Sequence, residues 1–221
     1  MITYPKIETL YVRDEKTHKI DPSKIRLPEF GLPLTWQITE KIAGTNIRVT
    51  LLEDGSIKIA GRTDAVQIYG PLVELLYQKF TPEKMKAAFW IAGEPPFEVQ
   101  LFGEGYGEKI QKGGGNYRKG ISLRLFDVLI GRFWLRWNDV ENIAQKFGIR
   151  TVPLVGNESN LPKTGYELRQ IIPRSEVAVI EADNRWTSAE GIVAREPNGL
   201  LMRDGRRLMW KLKFSDFANG L

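Results

Sequence analysis

The stretch that decides the fold runs from residue 36 to residue 52 and reads Trp36-Gln-Ile-Thr-Glu-Lys-Ile-Ala-Gly-Thr-Asn-Ile-Arg-Val-Thr-Leu-Leu52. Apolar and polar residues alternate as far as Lys41, and they alternate again from Asn46, where β-branched side chains are frequent. Period-two alternation is typical of strands that bury one face. The stretch therefore predicts two strands joined by the short segment 42–45.

The flanking sequence continues this strand-rich pattern. Asp54-Gly55 favours a tight turn, so residues 56–61 are predicted to return as a strand. Further strands are predicted at 97–102, 121–128, 190–195 and 208–214, with helices at 72–80, at 82–90 and between a cap at Asn138 and an end at Gly148. Strands joined by hairpin-like turns, with few helices, indicate an α+β fold with antiparallel sheets rather than a doubly wound parallel sheet.

Three segments show weaker patterns. Residues 1–34 are expected to form an N-terminal arm of short pieces, and residues 151–165 are expected to form a loop. The basic connection 109–119 contains Gly113-Gly114-Gly115, which we interpret as a mobile hairpin tip. The expected anchors of the arm are Ile7, Leu10 and Val12.

Composition excludes several classes of site. The 221 residues contain no cysteine and a single histidine, His18, which argues against a thiolate metal site and against a serine–histidine triad. No apolar run is long enough to span a membrane, so no membrane partner is expected, and the absence of cysteine fits a cytoplasmic location. The net charge of +5 is a mild basic bias that suits either an ordinary surface or contact with nucleic acid.

Three lysines are candidates for phosphate chemistry. Lys41 ends a predicted strand and precedes Gly44, and a lysine becomes a nucleophile when its ammonium loses a proton. Lys211 and Lys213 are two residues apart in a strand and therefore share one face, which suits a polyphosphate. Each of these lysines, taken alone, also fits a solvated surface position.

Two glutamates and one aromatic residue add to this set. Glu104 and Glu190 are both predicted at strand ends beside glycine, where a carboxylate can bind a ribose hydroxyl or a hard cation such as Mg²⁺. Phe126, before Asp127 at a predicted strand end, offers a ring face for a base, although a core position is the alternative. Four cations of the glycine-rich connection are candidates for contact with a phosphate backbone: Lys109, Lys112, Arg118 and Lys119.

The order of these elements along the chain carries more information than any one of them. The order is Glu40-Lys41-Ile-Ala-Gly44-Thr-Asn46, Arg62, Phe102-Gly-Glu104-Gly, Leu125-Phe126-Asp127-Val, Glu190-Gly191-Ile-Val and Lys211-Leu-Lys213. It resembles the covalent nucleotidyltransferase family, which includes ATP-dependent polynucleotide ligases and mRNA-capping guanylyltransferases.

Within that family, the sequence resembles the phage-type RNA ligases that seal nicks. DNA ligases and capping enzymes usually carry aspartate where this chain has Ala43, whereas Gly44-Thr45-Asn46 is similar to the RNA ligases. The opening segment 4–14 and the connection 109–118 are similar to them as well.

The resemblance implies a nucleotidyltransferase fold, with antiparallel sheets and flanking helices around an ATP cleft. Residues 1–221 would form a single domain on which the arm 1–34 packs. Because eight residues follow Lys213, no C-terminal oligonucleotide-binding domain is expected in this chain, which is either a minimal one-domain ligase or part of a longer protein.

The resemblance also implies a role for each matching residue. Lys41 would attack the α-phosphate of ATP and form a lysyl-AMP, and Ile42 would lie beside the nucleotide. Glu40 would contact the adenine amino group, and Phe126 would stack on the adenine.

The remaining roles concern the ribose, the phosphates and the metal. Arg62 and Glu104 would hold the ribose, and Asn46 would orient the nucleotide and the end being joined. Glu190 would help to place Mg²⁺ or Mn²⁺. The phosphates would be neutralised by Lys211 and Lys213.

The implied activity is that of an ATP-dependent RNA ligase that joins 3′-hydroxyl and 5′-phosphate ends. The expected partners are RNA ends, in a nicked duplex, and the chain would act as a monomer in the cytoplasm, that of the host if the source is viral. Two alternatives stay open: a minimal ATP-dependent DNA ligase, and a nucleic-acid-binding module with an inactive nucleotidyltransferase fold. A comparison of sealing on matched RNA and DNA nicks distinguishes an RNA ligase from the DNA ligase. Formation of lysyl-AMP distinguishes an active ligase from the inactive binding module.

Overall fold

The structure is a computed structural model that describes residues 2–90 and 97–218. These residues fall into two units. The first unit comprises the described residues of Met1–Tyr4 and Gly44–Val152, and the second comprises those of Pro5–Ala43 and Pro153–Leu221.

The described residues form thirteen strands and five α-helices. The strands are β1 (Glu8–Thr9), β2 (Tyr11–Arg13), β3 (Ile20–Ile25), β4 (Trp36–Lys41), β5 (Thr45–Leu51), β6 (Ile57–Ala60), β7 (Val99–Gly107), β8 (Ile121–Ile130), β9 (Phe133–Trp134), β10 (Arg150–Thr151), β11 (Leu154–Glu158), β12 (Gly191–Arg195) and β13 (Met209–Lys213). The helices are α1 (Gly70–Lys79), α2 (Pro82–Phe89), α3 (Trp137–Lys146), α4 (Gly165–Ile171) and α5 (Glu176–Ala182).

The second unit contains a five-stranded sheet in the order β1-β13-β12-β4-β11, and β2 pairs with β3 beside it. One face of the sheet is apolar because alternate residues of its strands point to the same side. Trp36 and Ile38 of β4 and Trp210 and Leu212 of β13 are fully or almost fully buried there. The intervening residues therefore lie on the opposite face, and they include the lysines of β4 and β13.

The first unit contains a six-stranded sheet in the order β10-β8-β7-β5-β6, with β9 on β8. Ile47, Val49 and Leu51 of β5 point toward the helices. They share a core with Leu72 and Leu76 of α1. Asn46 and the other intervening residues of β5 are thereby directed to the opposite face.

The predicted α+β class with antiparallel sheets is confirmed. Neighbouring strands pair antiparallel except for β1 with β13 and β10 with β8, which are parallel over two residues each among the described strands. The predicted helices at 72–80 and 82–90 correspond to α1 and α2 within two residues at each end.

The predicted loop at 151–165 is wrong, because β11 lies within it and pairs antiparallel with β4. This edge strand has no buried residue, so its sequence shows no apolar alternation. The short helices α4 and α5 were also not predicted, since seven residues give hardly two turns of periodicity. Their available signal is the cap, because Thr164 and Ser175 each accept a hydrogen bond from the backbone N–H three residues later.

Two smaller predictions are also corrected. Asn138 does not cap α3, because the helix begins at Trp137 and Asn138 is its second residue. The cap position is Arg136, whose side chain makes no capping hydrogen bond. Gly148 does follow the helix with a φ of +59°, as predicted. In the arm Leu10 is buried, but Val12 is 37% exposed and is not an anchor.

None of the helices in residues 2–90 and 97–218 combines the length and the apolar composition that a bilayer-spanning helix requires.

Candidate functional site

Lys41 and Lys213 lie in one row across the sheet of the second unit. Gly191 of β12 is the register partner of Lys41 on one side and of Lys213 on the other. A Cβ atom at Gly191 would lie 2.0 Å from the carbonyl oxygen of Leu212, so no other residue fits there without moving β13. The glycine therefore permits the close strand approach that sets the two lysines on either side of it.

Glu190, the residue before β12, connects these two lysines. Its Oε2 accepts from Lys41 Nζ at 2.7 Å, and its Oε1 lies 2.5 Å from Lys213 Nζ. Burial alone would raise the pKa of the Glu190 carboxyl, but the charges and hydrogen bonds of Lys41 and Lys213 outweigh it and hold that pKa below its usual range. Glu190 is thus an ionised bridge between the candidate nucleophile and one of the candidate phosphate-binding lysines.

Lys211 is the second lysine of β13 and points to the same face as Lys213. Burial, together with the charges of Lys41, Lys213 and Arg13, lowers its pKa to about 8, against the opposing effect of Asp216. The ammonium of Lys211 is therefore destabilised in the absence of an anion.

Glu40 is 1% exposed and binds the start of α5. Its Oε1 lies 2.5 Å from the Ser175 hydroxyl, which donates to it. Its Oε2 accepts from the backbone N–H groups of Glu176 at 2.9 Å and Val177 at 3.3 Å. A carboxylate in this place satisfies donors that have no partner within the helix. The structure thus gives Glu40 a role in holding α5 that the sequence did not reveal, and the cap residue Ser175 is the signal that was available.

In the first unit, Asn46 and Glu104 are register partners on β5 and β7. A Cβ atom at Gly44 would lie 2.3 Å from the Gly105 carbonyl oxygen and 2.8 Å from Cγ of Glu104, which explains the glycine three residues after Lys41. Asn46 Oδ1 is buried and has no hydrogen-bond partner among the described residues. This face of the unit therefore carries a buried amide oxygen whose hydrogen-bonding capacity is unsatisfied among the described residues.

Phe126 and Glu104 lie within β8 and β7 rather than at strand ends, so that part of the prediction is wrong. The Tyr4 ring packs edge-on against Phe126, with ring centroids 5.1 Å apart, and its hydroxyl donates to Asp127 Oδ2 at 2.9 Å. Tyr4, which sequence reasoning did not select, therefore supports the candidate stacking residue.

The other two nucleotide candidates differ in exposure. Arg62 is exposed in the connection between β6 and α1. Ile42, which follows β4, is 2% exposed in the second unit.

The glycine-rich connection between β7 and β8 makes contacts with the rest of the unit that a free hairpin tip would lack. Gly114 is buried, and a Cβ atom there would lie 2.0 Å from the Gly107 carbonyl oxygen, so the triple glycine is folded back on the strand end. The side-chain amide of Gln111 donates to the Gly44 carbonyl at 3.2 Å. Of the four cations, Arg118 is half-buried and the other three are exposed, namely Lys109, Lys112 and Lys119.

The comparisons with known proteins decide the family. A family model described as RNA ligase matches residues 34–213. The chain belongs to the RNA ligase family. The matched span includes every motif from Glu40 to Lys213, and a comparison with curated protein sequences finds no match.

Solved RNA ligases show the same fold. The Naegleria gruberi RNA ligase with PPi has a TM-score of 0.63 at 17% identity, over 96% of this chain and 56% of that one. A mutant of it with ATP and Mn gives the same values, and another with AMP and Mn has a TM-score of 0.59 at 18% identity, over 95% of this chain and 61% of that one. The chain therefore spans little more than half the length of these ligases, and the likeness confirms the nucleotidyltransferase-type fold.

Proposed function

We propose that the protein is an ATP-dependent RNA ligase. In the first step Lys41 Nζ bonds to the α-phosphorus of ATP and pyrophosphate leaves. In the second step the AMP passes to a 5′-phosphate end and Lys41 is regenerated. In the third step a 3′-hydroxyl attacks the adenylated end, which forms the phosphodiester bond and releases AMP.

The observation that carries this proposal is the bridge from Lys41 through Glu190 to Lys213 in a chain of the RNA ligase family. Phosphoryl-type transfer depends mainly on positioning and on charge neutralisation. β4 fixes Lys41 at a strand end, and β13 presents two cations on the same sheet face. These lysines are arranged to hold an anion beside the nucleophile.

The environment of Lys211 is suited to binding a phosphate. Its lowered pKa means that its ammonium lacks stabilisation in the free protein. Phosphate oxygens would supply the missing negative charge, which favours binding of the triphosphate. Lys211 and Lys213 are therefore assigned to the phosphates.

Glu190 is the residue to which we assign the divalent ion. The described residues contain no group of three or more His, Cys, Asp or Glu side chains that would form an all-protein metal site. Mg²⁺ commonly uses one or two carboxylates together with substrate phosphates, so a single ionised glutamate fits this mode. Mg²⁺ or Mn²⁺ bound there would supply further charge neutralisation at the phosphates.

The nucleotide contacts of the first unit are assigned by the family resemblance and by exposure. Phe126 is assigned to the adenine ring, and Arg62 and Glu104 to the ribose. Asn46 has a buried amide oxygen with no hydrogen-bond partner among the described residues, which supports its role in orienting the nucleotide and the RNA end.

Two further nucleotide contacts are assigned to residues of the second unit. Glu40 is assigned to the adenine amino group by the family resemblance, and its carboxylate also binds the start of α5. Ile42 is assigned to the nucleotide by its place next to Lys41.

The finer proposals concern substrate and setting. We assign the protein to the phage-type, nick-sealing ligases, with residues 1–221 as its nucleotidyltransferase domain, acting as a monomer on a nicked RNA duplex in the cytoplasm. The exposed cations Lys109, Lys112 and Lys119, together with Arg118, are assigned to the RNA backbone.

Mass spectrometry after incubation with ATP and Mg²⁺ tests the first step. The expected result is an increase by one AMP on the wild type and no increase on Lys41→Ala. Lys41→Ala should still seal RNA that is already adenylated, because that step needs no lysine nucleophile. An unmodified wild type would refute the proposed activity, and equal sealing of matched RNA and DNA nicks would refute the assignment to RNA.

A further inference from the structure

A cavity of about 470 Å³ opens in the first unit, away from the residues assigned to ATP. Its lining includes Thr45 at the start of β5, the segment 67–70 before and at the start of α1, and Ile110 and Gln111 of the glycine-rich connection. This volume lies within the range of about 300–1,000 Å³ that is typical of small-molecule sites. The cavity is thus large enough for one nucleoside.

The cavity lies on the helix side of the sheet. Successive residues of a strand point to opposite faces, so Thr45 and Asn46 diverge. A Cβ atom at Gly105 would touch Leu72 of α1, Ile47 and Thr45 together, which places Thr45 on the α1 side. Asn46 and Glu104 occupy the other face, so this cavity is a separate place on the unit.

The lining combines an aromatic ring with neutral hydrogen-bonding groups. Tyr69 is 38% exposed, so part of its ring is available for stacking. Gln67 and Gln111 contribute carboxamides, each with donor and acceptor atoms, and Thr45 contributes a hydroxyl. The Gln111 amide donates to the Gly44 carbonyl at 3.2 Å.

The charge around the cavity indicates an anionic ligand. Lys109 and Lys112 are exposed and directly flank the two lining residues of the connection. Over residues 108–119 the chain carries four basic side chains and one acidic side chain, Glu108. Aromatic stacking, amides that bind base edges and cations that bind phosphates together form the usual recognition set for unpaired RNA.

We propose that this cavity binds one unpaired base in a single-stranded flank of the RNA substrate. Tyr69 stacks on the base, Gln67 and Gln111 bind its edge, and Lys109 and Lys112 contact the flanking phosphates. This inference rests on the proposed function, because it specifies where the RNA of that ligase is held.

The experiment measures RNA binding by the full chain without ATP, so that no turnover occurs. The probe is a nicked RNA with short single-stranded flanks, in which 2-aminopurine replaces one base at a time. The variants are Tyr69→Ala, Tyr69→Phe and Gln67→Ala, and the matched control is Tyr77→Ala, which removes a 48% exposed tyrosine from α1 outside the cavity. Thermal unfolding of each variant confirms that it folds.

At one position of the probe, the fluorescence of 2-aminopurine should change when the RNA binds to the wild type or to Tyr69→Phe. Tyr69→Ala should raise the Kd by about fivefold to a hundredfold, the range for loss of one stacked base. The dependence of Kd on salt should stay unchanged in Tyr69→Ala, because no phosphate contact is lost, and should become shallower in Lys112→Ala. An abasic nucleotide at the recognised position should remove the difference between wild type and Tyr69→Ala.

Equal Kd values for Tyr69→Ala and Tyr77→Ala would overturn the inference, as would a difference that survives the abasic substitution. These outcomes are separable from failure of the proposed function. A wild type that forms lysyl-AMP while the cavity variants bind RNA normally refutes the cavity alone. A wild type that forms no lysyl-AMP, while Tyr69→Ala specifically loses the base signal, refutes the ligase activity and retains the cavity.

Discussion

The Nζ atom of Lys41 lies 2.7 Å from Oε2 of Glu190, a residue 149 positions later in the chain. The same carboxylate is 2.5 Å from Lys213 Nζ, so one negative charge serves two ammonium groups. Any anion that binds these lysines competes with Glu190 for them.

Glu190→Gln should lower the free energy of unfolding and slow self-adenylation. The side chains involved are 21–29% exposed, so we expect a loss of about 1–2 kcal/mol of unfolding free energy at pH 7, less than for a fully buried pair. Because the pKa of Glu190 is lowered, its contribution is present above the usual carboxyl pKa of 4.5 and is lost as the pH falls through the folded value. Denaturant unfolding at pH 7, 5 and 3.5 checks this, with the exposed Glu53→Gln as control. A constant difference across this range would contradict the prediction.

Lys211→Met should stabilise the free protein while impairing ATP binding. The folded pKa of about 8 lies below the usual 10.5, so the unfolded chain binds more protons between these values and wild-type stability rises with pH across that window. Lys211→Met should therefore exceed the wild type by about 1 kcal/mol below pH 8, after allowance for partial exposure, and the gap should close toward pH 10.5. Thermal unfolding over pH 6–10.5 measures it, with Lys119→Met as an exposed control. The KM for ATP in self-adenylation should rise, and an unchanged KM would exclude Lys211 from the phosphate site.

Glu40→Gln should loosen α5, because its amide nitrogen cannot accept the bonds that Ser175, Glu176 and Val177 donate to the carboxylate. We expect a loss of about 1–3 kcal/mol of unfolding free energy. Hydrogen exchange at the Glu176 and Val177 amides should speed up in Glu40→Gln and stay at the wild-type rate in the control Glu176→Gln, whose side chain is exposed. Unchanged exchange in Glu40→Gln would show that the carboxylate does not hold the helix.

The wild type should label with ATP in preference to GTP, because guanine presents a carbonyl where Glu40 would accept from the adenine amino group. An acceptor left unpaired in a buried site costs about 1–3 kcal/mol, or roughly five- to 150-fold in labelling efficiency. Competition between the two nucleotides in lysyl-adduct formation measures the ratio. Equal labelling would contradict the assignment and favour a capping-type activity.

Replacing Lys112 and Lys119 by alanine should weaken sealing while lysyl-AMP formation continues. Each lost phosphate contact reduces the slope of log K against log salt by about 0.7–0.9, so the defect should grow between low and physiological salt. Arg118 is left in place because it is half-buried. The double variant Lys16→Ala with Lys163→Ala removes the same charge from exposed positions in the second unit. If both double variants seal alike at every salt concentration, the connection does not bind RNA.

Local sequence determined much of strand β4 in the second unit. The alternation from Trp36 to Lys41 predicted β4 with its bounds, and it placed Lys41 at the strand end because burial of one strand face has a period of two. The pair Lys211 and Lys213 on one face followed from the same period. The order of the motifs indicated the family, which the family model over residues 34–213 confirmed.

The tertiary structure decided which distant groups meet. Nothing in the local pattern links Glu190 to Lys41 or Glu40 to Ser175, because strand register across β4, β12 and β13 depends on the whole sheet. The edge strand β11 has no buried face to show in its sequence, and it exists because β4 offers it hydrogen bonds. The contact of Gln111 with Gly44 likewise depends on how a connection folds back on its strands. Local periodicity thus fixed which residues face which side of a strand, whereas long-range pairing fixed the charge partners of those residues.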